Sequence, residues 1–355
     1  MDKLLISLNS NNKNSQKQRR SKEIDIIKCI SCFGVVYIHC SFPNLLGKLI
    51  EAINRYAVPF FFFTSGYYFL NYKMQINNTR IINKIKHLLI LLRKAGVFHF
   101  IFCILFNKVK NKNWSMILFT KSLINKKSII RFIFFNCPFL YLHLWFIFAL
   151  LYCYLFMLIL FNLNANIITN SLFEYFFVIF GIIGYHLLTE FGQIKLINYF
   201  FSNLKFKINY PHLFIFRALP FFLIGIIVRK NKIKPIKPFY QVLSFVLGSI
   251  LACIEMISFK MSLNSHIGTY LQLLSLISFC LKENYHYNKF FEIISFIGKE
   301  LSDKIYIYHI AVKLTIFLLL DKMNIIPKRW FSYFSYFFVL LMSIIFSYLM
   351  KALNI

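Results

Sequence analysis

Residues 23–39 read EIDIIKCISCFGVVYIH, an apolar run interrupted by Asp25, Lys28 and His39. A helix turns about 100° per residue, so Asp25, Lys28, Cys32 and His39, spaced by 3, 4 and 7 positions, fall on one stripe. Eleven steps separate Lys28 from His39, which returns the second to within about 20° of the first and carries it about 16 Å along the axis. Titratable groups inside so apolar a helix are expensive in lipid and are expected to face a cavity or a partner. The stretch is too long and too polar within for a secretory signal core, and no small-x-small cleavage site follows it.

Working outward, the same apolar character recurs to the end of the chain. Of 355 residues, 59% are apolar and 19% aromatic, and the mean hydropathy of +0.63 lies well above that of soluble domains. A bilayer core about 30 Å thick needs about 20 mostly apolar helical residues, because no backbone polar group can stay unpaired there. Spans are predicted near 25–46, 52–71, 88–107, 141–161, 171–189, 212–228, 239–258, 262–281, 303–320 and 332–350. The expected fold class is all-α, a polytopic integral membrane protein of about ten transmembrane helices. Residues 1–22 read as a disordered basic tail and 23–352 as the transmembrane domain. An even span count puts both termini on one side, and Lys3, Lys13, Lys17, Arg19 and Arg20 assign that side to the cytoplasm. The basic segment from Lys108 to Arg131 would then lie outside, unless an extra or re-entrant helix intervenes around 114–136.

A net charge of +29 invites a nucleic-acid reading. The basic residues are scattered between apolar spans with no nucleic-acid motif beside them, so the expected partners are anionic lipid head groups. The eight cysteines lie mostly within apolar spans as small hydrophobes. Cys29 and Cys32 form a lone C-x-x-C that reads as packing, and no metal site is expected.

Other polar residues mark further candidates. The second span contains Pro59 and the run Phe60 to Phe63, then Thr64, Ser65 and Gly66, readable either as a packing seam or as a cavity wall beside His39. Arg80, Lys84, Lys86 and His87 make a basic approach to the third span, suited to phosphate groups or to an inside topological anchor. His143 and Trp145 open the fourth span, where the tryptophan reads as an interfacial anchor. Arg217 and His309 lie in or against apolar helix, where an unpaired polar group would cost energy.

Taken in order, these segments resemble the acyltransferase 3 family, membrane O-acyltransferases of bacterial surface polysaccharides. The resemblance covers about residues 20 to 350 and rests on Glu23 to Lys28, His39, Pro59 to Gly66, Leu144 to Phe146, Pro220 to Gly225, Ile297-Gly298 and Ile305 to His309. The family motif of a basic residue, ten intervening positions and a histidine is met by Lys28 and His39. The family's Arg-x-x-Arg pair at the third helix is not; Lys84, Lys86 and His87 stand nearest, and lysine lacks the bidentate grip of guanidinium on phosphate.

What the resemblance implies is transfer of an acyl group, most often acetyl, from acyl-coenzyme A (acetyl-CoA) to a hydroxyl of a cell-envelope polysaccharide or glycolipid, in the bacterial inner membrane. His39 would be the general base. Lys28, Lys84, Lys86, His87 and Arg80 would meet the donor phosphates. Asp25, about 21 Å from His39 by helical rise, is assigned to holding Lys28 or the start of the helix. Ser65, Arg217 and His309 are further candidates, and Cys40 adjoins the base. Two other readings stay open: a transporter or flippase for a lipid-linked glycan, and a relative that has lost donor binding.

Overall fold

The computed structural model describes residues 20–70, 78–110, 114–123, 128–129, 132, 142–163, 171–189, 213–259, 265–282, 287–323 and 331–353. Residues 1–19 of the expected tail, most of the segment from 111 to 141, and Cys137 lie outside them. Among the described residues every regular element is helical. In chain order these are α1 (Lys22–His39), α2 (Asn44–Ile53), a 3-10 turn (Asn54–Tyr56), α3 (Ala57–Tyr67), α4 (Asn78–Lys110), α5 (Met116–Leu123), a second 3-10 turn (Leu142–Leu144), α6 (Trp145–Leu163), α7 (Ser171–Thr189), α8 (Phe214–Arg217), α9 (Leu219–Lys230), α10 (Pro238–Phe259), α11 (Ile267–Cys280), α12 (Lys289–Glu300), α13 (Ser302–Lys322) and α14 (Phe331–Ala352).

Five helices, α4, α6, α7, α10 and α14, have the length and apolar composition to cross a membrane. Their outer faces carry large exposed hydrophobes, such as Leu89, Val97, Ile101 and Leu105 on α4 and Phe334, Phe337, Leu341 and Ile345 on α14. Stripes of that extent are incompatible with water and match lipid chains. The chain is thus a helical membrane protein.

Helix α1 sits at the centre, packed by α3, α11, α12, α13 and α14. Its charged residues therefore meet protein, not lipid. Ser21 caps it, its hydroxyl accepting the Ile24 N–H at 3.2 Å, and Glu23 and Asp25 stand in the first turn where the dipole favours anions. Arg20 folds back on Asp25 with bonds of 2.8–2.9 Å to both carboxylate oxygens, so Asp25 holds the helix start through Arg20 and not through Lys28.

The helix stops at His39, short of the predicted 46. Pro43 has no N–H to give the His39 carbonyl four residues back, and it adopts extended dihedrals that start α2 instead. The carbonyl left open accepts a hydrogen bond from Lys313 Nζ of α13. The predicted span 52–71 is likewise divided, into the end of α2, the 3-10 turn and α3, with Pro59 in the first turn of α3, where the missing N–H costs nothing. Residues 213–230 break at Ala218 into α8 and α9, with Pro220 in the first turn of α9.

Two glycines join α3 to α9. A Cβ on Gly66 would overlap the carbonyl of Phe222, and one on Gly225 would overlap the carbonyl of Phe63. The segments Ser65-Gly66 and Pro220 to Gly225 are thus the two sides of one close-packed seam.

At the end of α12, Glu300 is clamped between Lys351 of α14 at 2.8 Å and Lys299 at 3.0 Å. The hydrogen bonds from Lys351 and Lys299 draw its carboxyl from 4.5 down to about 2. A group depressed on folding stabilises above its unfolded value and loses that contribution as pH falls through its folded value. Thermal melting of the solubilised protein should therefore show a wild-type penalty between pH 4.5 and 2 that Glu300→Gln removes. Parallel pH profiles for the two proteins would refute the clamp.

Candidate active site

A cavity of about 640 Å³ opens between α1, α3, α4, α6, α12 and α13. Its lining is strongly basic: Arg20, Lys28, Arg80, Lys84, His87 and Lys299, with Asp303 as the acidic member. Positions 80, 84, 87, 88 and 91 repeat every three or four residues, so Arg80, Lys84, His87, Leu88 and Leu91 present one face of α4 to the cavity. Lys86 lies off that face and is exposed. Arg80 donates to the Tyr68 carbonyl at 2.7 Å, which fixes its side chain at the rim. Thr64, Ser65 and Ser302 add hydroxyls, the Ser65 Oγ donating to the Phe61 carbonyl at 3.0 Å.

A second, smaller chamber of about 120 Å³ holds His39, His143, Trp145, Arg55 and Arg217 in its wall. Lys28 and His39, predicted to share a stripe, thus reach two different cavities from one helix. Tyr306 lines both. It donates a hydrogen bond to the His143 carbonyl, which fastens α13 to the start of α6 at the wall between the cavities.

Four imidazoles cluster behind this wall. The His39 ring lies 5.1 Å from that of His309 and 6.3 Å from that of His143, centroid to centroid; His143 lies 5.3 Å from His309 and 5.2 Å from His99. Hydrogen bonds fix the tautomers of His99, His143 and His309. The Nε2 atoms of His99 and His143 both meet the Ile307 carbonyl, at 3.0 and 3.2 Å, and must donate to it. His309 Nδ1 likewise donates to its own helix, at 2.8 Å to Tyr306 O and 3.1 Å to Ile305 O. Its Nε2 is then an acceptor, buried and without a hydrogen-bond partner. His39, the most accessible of the four, faces the chamber.

The structure thus brings His39 and Arg217 to one chamber, with the ring of His309 behind that of His39, and Lys28, Lys84, His87, Arg80 and Ser65 to the other cavity. Asp25, Lys86 and His309 line neither. Trp145, expected as an interfacial anchor, lies under the Arg217 guanidinium, 3.7 Å from ring centroid to the guanidinium carbon. Cys40 is buried at the helix terminus, and Cys29 and Cys32 are buried thiols. Sequence reasoning did not select His99, Tyr306, Arg20, Arg55 or Lys313 for the site. The apolar setting of His99, within the predicted span 88–107, was the available signal. Among the described residues, no group of three or more His, Cys, Asp or Glu side chains is arranged to hold a metal ion.

Apolar helices around a basic cavity and an imidazole cluster define a helical membrane protein with an enclosed polar interior. The pattern of the Acyltransferase domain of the acyltransferase 3 family matches residues 21–352, nearly the whole chain, and the chain belongs to that family. It is a membrane acyltransferase. No curated protein and no solved structure matches the chain.

Proposed function

We propose that this protein moves an acyl group, acetyl in the first instance, from acyl-coenzyme A to a hydroxyl of a bacterial envelope polysaccharide or glycolipid. The observation that carries this reading is the shared wall: one side chain, Tyr306, lines both the basic cavity and the His39 chamber. Phosphates of a coenzyme A donor suit the cavity's five lysine and arginine side chains, and the thioester end of a long donor would be directed at Tyr306. On the far side the acceptor hydroxyl gives its proton to His39 as its oxygen attacks the thioester carbonyl. Collapse of the tetrahedral adduct breaks the carbon–sulfur bond, and His39 returns the proton to the departing thiolate. The products are an ester and a free thiol. His309 supports this role as a positioning residue, because its Nε2 acceptor can take the outer N–H of His39 and hold the other ring nitrogen toward the hydroxyl.

In the same reading the chain crosses the inner membrane about ten times, with α1, the broken spans α2–α3 and α8–α9, α11 and α13 completing the set beside the five apolar helices, and both termini are cytoplasmic. In this reading the basic tail precedes Arg20, because Ser21 caps α1 and Lys22 opens it, and the transmembrane domain follows to 352.

Mass spectrometry of surface glycan from cells with the wild-type chain, with His39→Ala and with no chain tests the reaction. An ester-sized mass, labile to mild base, should appear with wild type alone. Identical glycan in all three strains would overturn the proposal. For the donor site, Arg80→Ala combined with Lys84→Ala should raise the apparent KM for acetyl-CoA about tenfold or more, since each charge-assisted phosphate contact is worth about 1.5–3 kcal/mol. An unchanged KM would reduce both residues to topological anchors.

A further inference from the structure

Lys313 is a lysine in an expensive place. It stands eleven residues after Ser302, at the middle of the 21-residue α13, and is half-buried. An ammonium within a helix that the reading above sends across the membrane needs a partner to offset its desolvation. That partner is the backbone carbonyl of His39, which accepts a hydrogen bond from Nζ, and the Phe317 ring centre lies 6.0 Å from the same nitrogen. The carbonyl belongs to the last residue of α1 and stands at the negative end of the helix dipole, where a cation is stabilising. A helix C-terminus leaves four carbonyls without an intrahelical donor. In α1 the Tyr37 carbonyl takes the Cys40 N–H at 2.9 Å, whereas Pro43 has no N–H to offer the carbonyl of His39. Lys313 supplies the donor that Pro43 cannot.

The same face of α13 meets the His39 ring. Tyr306, His309 and Lys313 follow one another at intervals of three and four, which sets them on one stripe. Tyr306 lines both cavities, the His309 ring lies 5.1 Å from that of His39, and Lys313 grips the His39 backbone one turn further on. His39 is thus held from α13 at two points, ring and carbonyl. Its place at the end of α1 makes the second hold necessary, because no further turn of that helix follows to fix its backbone.

We propose that Lys313 is a positioning residue for the base: by capping the carbonyl of His39 it fixes where the imidazole stands in the small chamber. The role rests on the acyl-transfer reading above. Lys313 lines neither cavity, so it acts on the reaction through His39.

Two measurements on the full chain test this. Lys313→Met keeps the apolar stem and removes the ammonium, a change that suits lipid. In nanodiscs, hydrogen exchange of the amides in residues 36–40 should run about tenfold faster in this variant, the factor expected for one charge-assisted hydrogen bond, while α4 and α6 exchange as in wild type. Transfer is read in membrane vesicles of the producing cells, which supply the acceptor, as base-labile label from radioactive acetyl-CoA. The kcat should fall about 10- to 100-fold, because a displacement of about 1 Å costs up to about 10²-fold. The KM for acetyl-CoA should stay at its wild-type value, since Lys313 is not part of the basic cavity. Lys313→Arg, which keeps cationic N–H donors, should recover most of the rate and of the exchange protection. In a His39→Ala background Lys313→Met should slow transfer no further. Should Lys313→Met fail to give monodisperse protein, Lys313→Gln, whose amide ends one atom short of the ammonium, is read in its place. Unaltered exchange, faster exchange with full kcat, a rise in KM in place of the fall in kcat, an arginine variant no better than methionine, or a further loss on top of His39→Ala would each overturn the proposal. Absence of labelled ester with the wild-type chain would sink the transfer reading, and with it the role in catalysis, whereas ester formed equally by wild type and Lys313→Met would sink the positioning role alone.

Discussion

His39→Ala should lower acyl transfer by about 10²- to 10⁴-fold, the usual worth of a positioned general base, while the protein still folds and reaches the membrane. The separation of the two effects follows from where the residue sits. His39 is the last residue of α1 and is only partly buried, facing the small chamber, so its loss removes little packing. The helix end is held independently, by Lys313 on the His39 backbone carbonyl, which alanine keeps. His39→Gln should be nearly as inactive, because an amide can hydrogen-bond the acceptor hydroxyl but cannot take and return its proton. Ester content of the surface glycan, normalised to the amount of membrane-inserted protein, is the measurement. Unchanged ester in either variant would remove His39 as the base and turn attention to His143, whose ring also lines the chamber.

The second large effect is structural. Gly66→Val should strip the membrane of folded protein, because the new Cβ would occupy the place of the Phe222 carbonyl on α9. Backbone cannot swing aside as a side chain can, so the cost exceeds the about 1–3 kcal/mol of ordinary overpacking. The damage should also reach the site. Ser65 beside Gly66 lines the large cavity, and Phe221 on the opposite side of the seam lines the small chamber, so parting α3 from α9 displaces a wall of each. Gly96→Val is the control, since a Cβ there meets nothing within 4 Å. Elution profile and melting temperature in detergent should separate the two variants, and a Gly66→Val protein that melts like wild type would mean that the seam yields without cost.

Much of the site was legible because helical geometry is local. The stripe from Lys28 to His39 follows from 100° per residue, about which the structure differs only in dividing the stripe between two cavities. The same periodicity separates Lys84 and His87 from Lys86, a distinction available in the sequence that grouping them by charge passed over. Departures from the predicted spans trace to prolines: Pro43 leaves the carbonyl of His39 without its N–H and ends α1, and the break before α9 precedes Pro220. Asp25 stands in the first turn of α1, and its partner, Arg20, had been counted with the tail.

By itself the sequence determined the solvent and the local shape: long apolar runs cannot leave lipid, and residues three, four or seven apart on a helix must share a face. Only the tertiary structure decided which faces meet. His39, His99, His143 and His309 come from four segments spread over most of the chain, and Tyr306 becomes a dividing wall only when α13 is laid between α1 and α6. The physical reason is that helices associate in a bilayer through shape and interhelical hydrogen bonds, such as Tyr306 to the His143 carbonyl and the glycine seam of α3 on α9. Those contacts carry no fixed spacing along the chain, so no periodicity announces them.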